Sequence, residues 1–299
     1  MKRKALWIAV AFGLLTAFVA GQAQEQYLDV YVAQVKPEKR AEFDAIAKKM
    51  VAANRQNKGD IWLTMETVYG PGNRVTFVST RQSYDDAEKG SGAFDAAMQK
   101  ALGKPGMEKL FQDYSQCLVS YRNEFRRRRW DLSSNPPADA AAMAKMLGES
   151  RWLRTNVVHV RPGQVEAFEA LLKEIKAARE KASPPVTTLV SQAVAGQEGT
   201  VFYVTTLQKS MAGFDELPTI QKTLGDEGYA RYLKTASEVV AGSETVINHF
   251  LPELSNPPAD VVAAAPDYWT PKTETVAKAA TAKRSVVNAA ETKKVDEKK

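Results

Sequence analysis

Apolar residues along the chain fall into two alternating registers, one of period 3.6 and one of period 2. Phe43, Ile46, Ala47 and Met50 sit at i, i+3, i+4 and i+7, the spacing of a single stripe on a helix. Phe168, Leu171, Leu172 and Ile175 form the same stripe 125 positions later. The spacing predicts helices over 38–54 and 164–181. Pro37 precedes the first, where a missing N–H costs nothing because the first helical turn has no partner for it. Ahead of each helix lies a β-rich stretch, Tyr27–Val35 and Trp152–Val160. After each come two strands around a Gly-containing turn, 61–69 with 74–80 and 186–195 with 200–207. Broken helical stretches follow, 94–102 with 106–117 and 214–224 with 228–241. A last strand closes each series, near 119–127 and 244–251, and Asn-Pro-Pro then ends it, since consecutive prolines have no donors for a ladder.

The two series are similar residue by residue. Val35-Lys36-Pro37 corresponds to Val160-Arg161-Pro162, and Met98-Gln99-Lys100-Ala101-Leu102-Gly103 to Ile220-Gln221-Lys222-Thr223-Leu224-Gly225. Ser134-Asn135-Pro136-Pro137-Ala138-Asp139 recurs as Ser255-Asn256-Pro257-Pro258-Ala259-Asp260. The offsets between matched blocks drift only between 121 and 125, so the chain reads as a tandem duplication. The order β-α-β-β-α-β, twice, is the split βαβ arrangement. The expected fold class is therefore α+β, with two tandem ferredoxin-like βαββαβ modules. One sheet with helices on a single face leaves the other face bare, and an exposed apolar face invites association. Two copies in one chain are expected to cover each other as an intrachain pseudo-dimer, barrel-like or sandwiched. The expected boundaries are a leader over 1–23, a first module over 24–137 and a linker helix over 138–150, followed by a second module over 151–262 and a disordered Lys/Ala-rich tail over 263–299.

This pattern resembles the dimeric α+β barrel superfamily, which includes the NIPSNAP, antibiotic-biosynthesis-monooxygenase, EthD and chlorite-dismutase-like families. The resemblance spans about residues 26–260 and rests on topology and the repeat. It implies a pocket between a sheet and its helices or within the barrel. It also implies a range of roles, from cofactor-free oxygenases acting on small aromatic or quinol substrates to haem proteins. Fold alone does not choose among them.

Charge and processing signals narrow the setting. Lys2, Arg3 and Lys4 precede an apolar run to Ala20, and Gly21 and Ala23 place small residues before a cut at Gln24. This is the pattern of a secretory leader, and the run is shorter than the ~20 residues of a spanning helix. The protein is expected to be exported, to the periplasm in preference to the medium, with no transmembrane segment after cleavage. The formal charge of +6 is carried by the ends: the leader holds three basic residues, and 271–299 hold eight basic and four acidic ones. The body between is close to neutral, which leaves no case for nucleic acid as a partner. The single cysteine, Cys117, has no partner in the chain and reads as a small buried hydrophobe.

Candidate chemistry is sparse. Alternation puts Asp29 and Tyr31 on one strand face in the first copy, with Arg154 and Asn156 at the matching places in the second. Trp62 and Glu66 share a face of the next strand, with Gln192 matching Glu66. Tyr31, Trp62, Glu66, Arg154, Asn156 and Gln192 are thus either the lining of a common small-molecule pocket or a polar seam of strand ends. No catalytic residue is singled out, and no cofactor is expected from the residues themselves. The haem alternative would use His159 as axial ligand. His249 is the only other histidine, and antiparallel neighbouring strands would hold the two far apart. Arg126-Arg127-Arg128-Arg129 reads as a strap for an anionic partner or as charges that guard a strand edge. The expected assembly is a monomer with an internal pseudo-dimer, open to further association.

Overall fold

The computed structural model describes residues 26–183 and 185–270. The leader read over 1–23 and the tail from 271 onward lie outside the described residues. In chain order the first half runs β1 (Tyr27–Val35), α1 (Arg40–Asn57), β2 (Leu63–Tyr69), β3 (Arg74–Arg81), α2 (Tyr84–Gln116) and β4 (Leu118–Arg128). After α3 (Ala140–Glu149) the second half runs β5 (Trp152–Val160), α4 (Val165–Lys181), β6 (Leu189–Ala195), β7 (Thr200–Gln208), α5 (Ile220–Val239) and β8 (Val240–Phe250). Two short helices close the described chain, α6 (Ala259–Ala264) and α7 (Pro266–Trp269).

The eight strands form one closed antiparallel barrel in the order β1-β3-β2-β8-β5-β7-β6-β4. Each half supplies four consecutive strands of it. The halves join edge to edge, through β2 with β8 and β4 with β6, so closure leaves no strand edge unpaired. Alternation along β1 then sorts side chains. Leu28 and Val32 point into the lumen, while Ala33 and Val35 face α1 and α2. Each half has its own core between sheet and helices, one around Phe43 and Met98 and the other around Phe168 and Phe202.

Reciprocal straps tie the halves. The Ser133 hydroxyl, just past β4, accepts from the Val190 amide of the second half at 2.9 Å. Ser255, just past β8, accepts from the Thr64 amide of the first half at 2.8 Å. The structural equivalents are thus Ser133 and Ser255, one residue away from the sequence match of Ser134 to Ser255. Asn135, in the left-handed region at φ 43°, accommodates the extra residue. The broken helical stretches are each two helical segments joined across a kink at equivalent glycines, Gly103 (φ 67°, ψ 164°) and Gly225 (φ 70°, ψ 172°). Only glycine is comfortable there.

Residues 263–270 do not belong to a disordered tail. The helices α6 and α7 pack on α3 over one end of the barrel, in a cluster with Met65, Leu153 and Phe250. Trp269 is fully buried, and its indole N–H donates to the Gly148 carbonyl at 2.9 Å. Met143 and Leu147 of α3 and Val261 of α6 line that end of the lumen, and Trp269 packs behind them.

Candidate ligand-binding cleft

A cavity of about 560 Å³ lies in the second half, between the outer face of its strands and the helices α4 and α5. Its floor is Arg154, Asn156 and Val158 of β5 with Val204 and Thr206 of β7. Its roof is Phe168, Leu172, Ile175 and Arg179 of α4 with Tyr232 and Ala236 of α5. At the corresponding positions the first half carries rings, and the pairing registers show the exchange. Tyr31 pairs Phe77 in β1–β3, and Asn156 pairs Val204 in β5–β7. Ala33 pairs Tyr121, and Val158 pairs Ser243. Counting back from the starts of β4 and β8 sets Tyr114 against Ala236. In the first half Tyr31 lies 6.0 Å from Phe77, 6.3 Å from Tyr114 and 5.6 Å from Tyr121, ring centroid to ring centroid. In the second half, Asn156, Val204, Ala236 and Ser243 replace all four rings, and all four line the cavity. The cleft is the space a four-ring cluster would fill.

The cleft is cationic. It contains two guanidinium groups, and no carboxylate is among its lining residues. Among the described residues neither Arg154 nor Arg179 makes an ion pair. Arg179 donates to the Thr188 hydroxyl at 2.6 Å, and Arg154 stands 5.2 Å from the Phe214 ring centroid. Burial, then the charge of Arg154, lowers the pKa of Arg179 from its ordinary value. Burial raises that of Tyr232, with Arg179 opposing. At neutral pH the Tyr232 hydroxyl therefore keeps its proton and donates. Asn156 accepts from the Thr245 hydroxyl at 3.0 Å. Apolar walls, two unpaired cations and neutral donors suit an apolar or aromatic body that carries an anionic group.

The structure brings together only two of the six residues predicted to share a pocket, Arg154 and Asn156. Tyr31 belongs to the ring cluster that fills the first half. Trp62 is buried, donates its indole N–H to the Leu254 carbonyl at 2.8 Å and packs edge-on against Phe94. Glu66 on β2 accepts from Arg40 of α1 at 2.8 Å, outside the cleft lining. Gln192 accepts from Arg129 at 2.8 Å. They scatter because the outer face of the barrel is divided between two separate sheet–helix layers. Sequence reasoning missed Arg179 and Tyr232, which reach the cleft from helices.

His159 does not fit the haem reading. It is paired with Gly242 at an exposed end of β5, on the lumen side of the sheet, opposite the cleft. His249 pairs with Trp152, seven residues along β8 from Gly242, and does not line the cleft either. Without an imidazole, the cleft's one aromatic oxygen ligand is Tyr232. Among the described residues no three His, Cys, Asp or Glu side chains gather as a metal site.

The arginine strap is not the edge guard it resembled. β4 is paired on both sides, with β1 and with β6. Arg126 and Arg128 line the lumen, and Arg129 outside it is held by Asp131 and Glu169. Alternation turns Arg126 and Arg128 inward and Arg129 already has its own carboxylates, so three of the four arginines are not presented as one outward strap. Among the described residues no helix is long and apolar enough to cross a membrane.

No family model matches the chain, and no curated protein does. Solved structures similar to it include an anthrone oxidase-like protein, 13% identical with a TM-score of 0.49, the match covering 77% of this chain and 92% of that one. A chlorite dismutase variant from Candidatus Nitrospira defluvii is 13% identical with a TM-score of 0.42, covering 76% and 92%. A heme-binding protein from Thermus thermophilus is 12% identical with a TM-score of 0.42, covering 78% and 93%.

Proposed function

We propose that the protein is a binding protein for a small aromatic or apolar anion, held in the cleft of its second half. The carrying observation is the exchange of Tyr31 and the three rings packed around it for Asn156, Val204, Ala236 and Ser243, beside two arginines that lack carboxylate partners. The alternative, a cofactor-independent oxygenase on an aromatic or quinol substrate, asks for a base to ionise the substrate. The cleft lining holds neither carboxylate nor imidazole, so the geometry favours binding over turnover. On this reading the two halves are copies of one ferredoxin-like module of the dimeric α+β barrel type, one filled and one opened. Export by the leader at 1–23 completes the proposal, and a periplasmic fraction carrying a new N-terminus at Gln24 would test it.

The test uses 8-anilinonaphthalene-1-sulfonate, an aromatic anion whose fluorescence rises in apolar surroundings. The wild-type chain should bind it with one-to-one stoichiometry. Arg154→Met with Arg179→Met should weaken binding at least tenfold while leaving the far-ultraviolet dichroism unchanged. Equal affinity in the double variant would contradict the assignment.

A further inference from the structure

The barrel lumen is a separate chamber of about 190 Å³, on the opposite face of the sheet from the cleft. A chamber of this size exceeds what one ordered water fills. Its wall carries a row of arginines from one strand, Arg122, Arg126 and Arg128, with Arg74 across the lumen. One buried carboxylate answers them. Glu124 is fully enclosed and already saturated: it accepts from Arg122 and from Gln197 on one oxygen, and from Arg126 and the Tyr203 hydroxyl on the other. Arg126 also lies flat on the Tyr203 ring, 3.5 Å from its centroid.

Arg128 is left over. Among the described residues no carboxylate pairs with it, and its buried Nε has no hydrogen-bond partner. Its guanidinium stands 5.5 Å from the Trp130 ring centroid, a contact too long to replace a counter-charge. Burial, with the charge of Arg126 second, lowers its pKa to about 10. Ser191 faces it across the β4–β6 pairing and also lines the chamber. Leu28, Leu189 and Leu207 supply apolar wall near it, interleaved with Gln26, Thr80 and Thr205. A half-buried cation with an enclosed, unpartnered Nε and no anion beside it is an unfavourable arrangement that a bound anion relieves.

We propose that the lumen is a second ligand site, for a small carboxylate with a short apolar body, anchored by Arg128 with the Ser191 hydroxyl beside it. Entry is from the end where Arg122 and Glu244 are open to solvent, the other end being closed by α3, α6 and α7. Glu124 engages Arg122 and Arg126 through its two oxygens, which leaves Arg128 as the arginine of β4 that an incoming carboxylate meets without a carboxylate partner.

Titration calorimetry of the full chain with hexanoate tests this. With the cleft refilled by Asn156→Tyr and Ala236→Tyr, the chain should still bind one hexanoate, with acetate and inorganic phosphate each weaker by tenfold or more, which separates this site from the cleft. In that refilled chain Arg128→Met should lose at least tenfold in affinity, Arg128→Lys should stay within a fewfold, and Glu124→Gln should bind several-fold tighter. Four outcomes would overturn the proposal: no hexanoate binding, undiminished binding in Arg128→Met, equal binding of all three anions, or loss of binding on refilling the cleft. If Arg128→Met fails to fold, amide shifts on hexanoate addition decide in the Arg128→Lys chain: movement at β4 and β6 supports the site, and movement confined to α4 and α5 refutes it.

Discussion

Removing one ring from the filled half measures how much that filling contributes. Tyr114 packs 5.2 Å from Phe43 and 6.3 Å from Tyr31, centroid to centroid, and burial raises its hydroxyl pKa well above the ordinary value. A fully buried aromatic reduced to alanine costs about 3–5 kcal/mol. Tyr114 is only partly buried by surface area, so Tyr114→Ala should cost about 2–3 kcal/mol, of which the two ring pairs account for about 1–3 kcal/mol. For a fold of this size each kcal/mol lowers the melting temperature by about 2–4 °C, so a drop of about 5–10 °C is expected by circular dichroism. The mirror change, Ala236→Tyr, places a ring where the cleft has room, and should cost less than about 1 kcal/mol or stabilise. Should Tyr114→Ala be neutral, or Ala236→Tyr as damaging as overpacking a closed core, the ring cluster is not what distinguishes the halves.

Three further outcomes follow from the same structure. Trp269→Ala should cost about 3–5 kcal/mol in urea unfolding, because the indole is fully buried between α3 and the barrel end; a loss near zero would mean that α7 does not hold α3 and α6 on the barrel. Burial alone would raise the pKa of Glu124, but Arg126, Tyr203 and Arg122 outweigh it and hold it below its ordinary 4.5. Its contribution is therefore complete above the unfolded value and is lost as pH falls through the lower folded value, so stability should decline with acid and the decline should flatten in Glu124→Gln, which at neutral pH costs about 3–5 kcal/mol. Cys117 is fully buried with a thiol pushed up chiefly by burial, so thiol reagents should label it only at the rate of unfolding; rapid labelling of the native chain would contradict that packing.

The element order was legible because each element carries its own period. The strands at Tyr27–Val35 and Trp152–Val160 and the helical stripes at Phe43 and Phe168 match the structure closely. The orientation of the strands was not. On β1, Leu28, Val30 and Val32 are as apolar as Ala33 and Val35 on the other side, since one set lines a lumen and the other meets helices. Alternation shows that two faces exist without saying which one the helices cover. The Arg126–Arg129 run misled for a related reason. The strand that pairs with it, β6, comes from the other half, so a reading of one half at a time sees an edge where the closed barrel has none. Within the cleft, Asn156 was identifiable because it matches Tyr31, and the same comparison carried through Phe77, Tyr114 and Tyr121 would have exposed the cavity. Arg179 and Tyr232 enter from helices whose phase relative to the sheet only the packing decides.

The most direct measurement is a crystal structure of the full chain with bound 8-anilinonaphthalene-1-sulfonate. The probe should lie between α4, α5 and the outer face of β5 and β7, its sulfonate within hydrogen-bond reach of Arg154 or Arg179, with the ring cluster of the first half undisturbed. A probe bound elsewhere while that cleft stands empty would contradict the account.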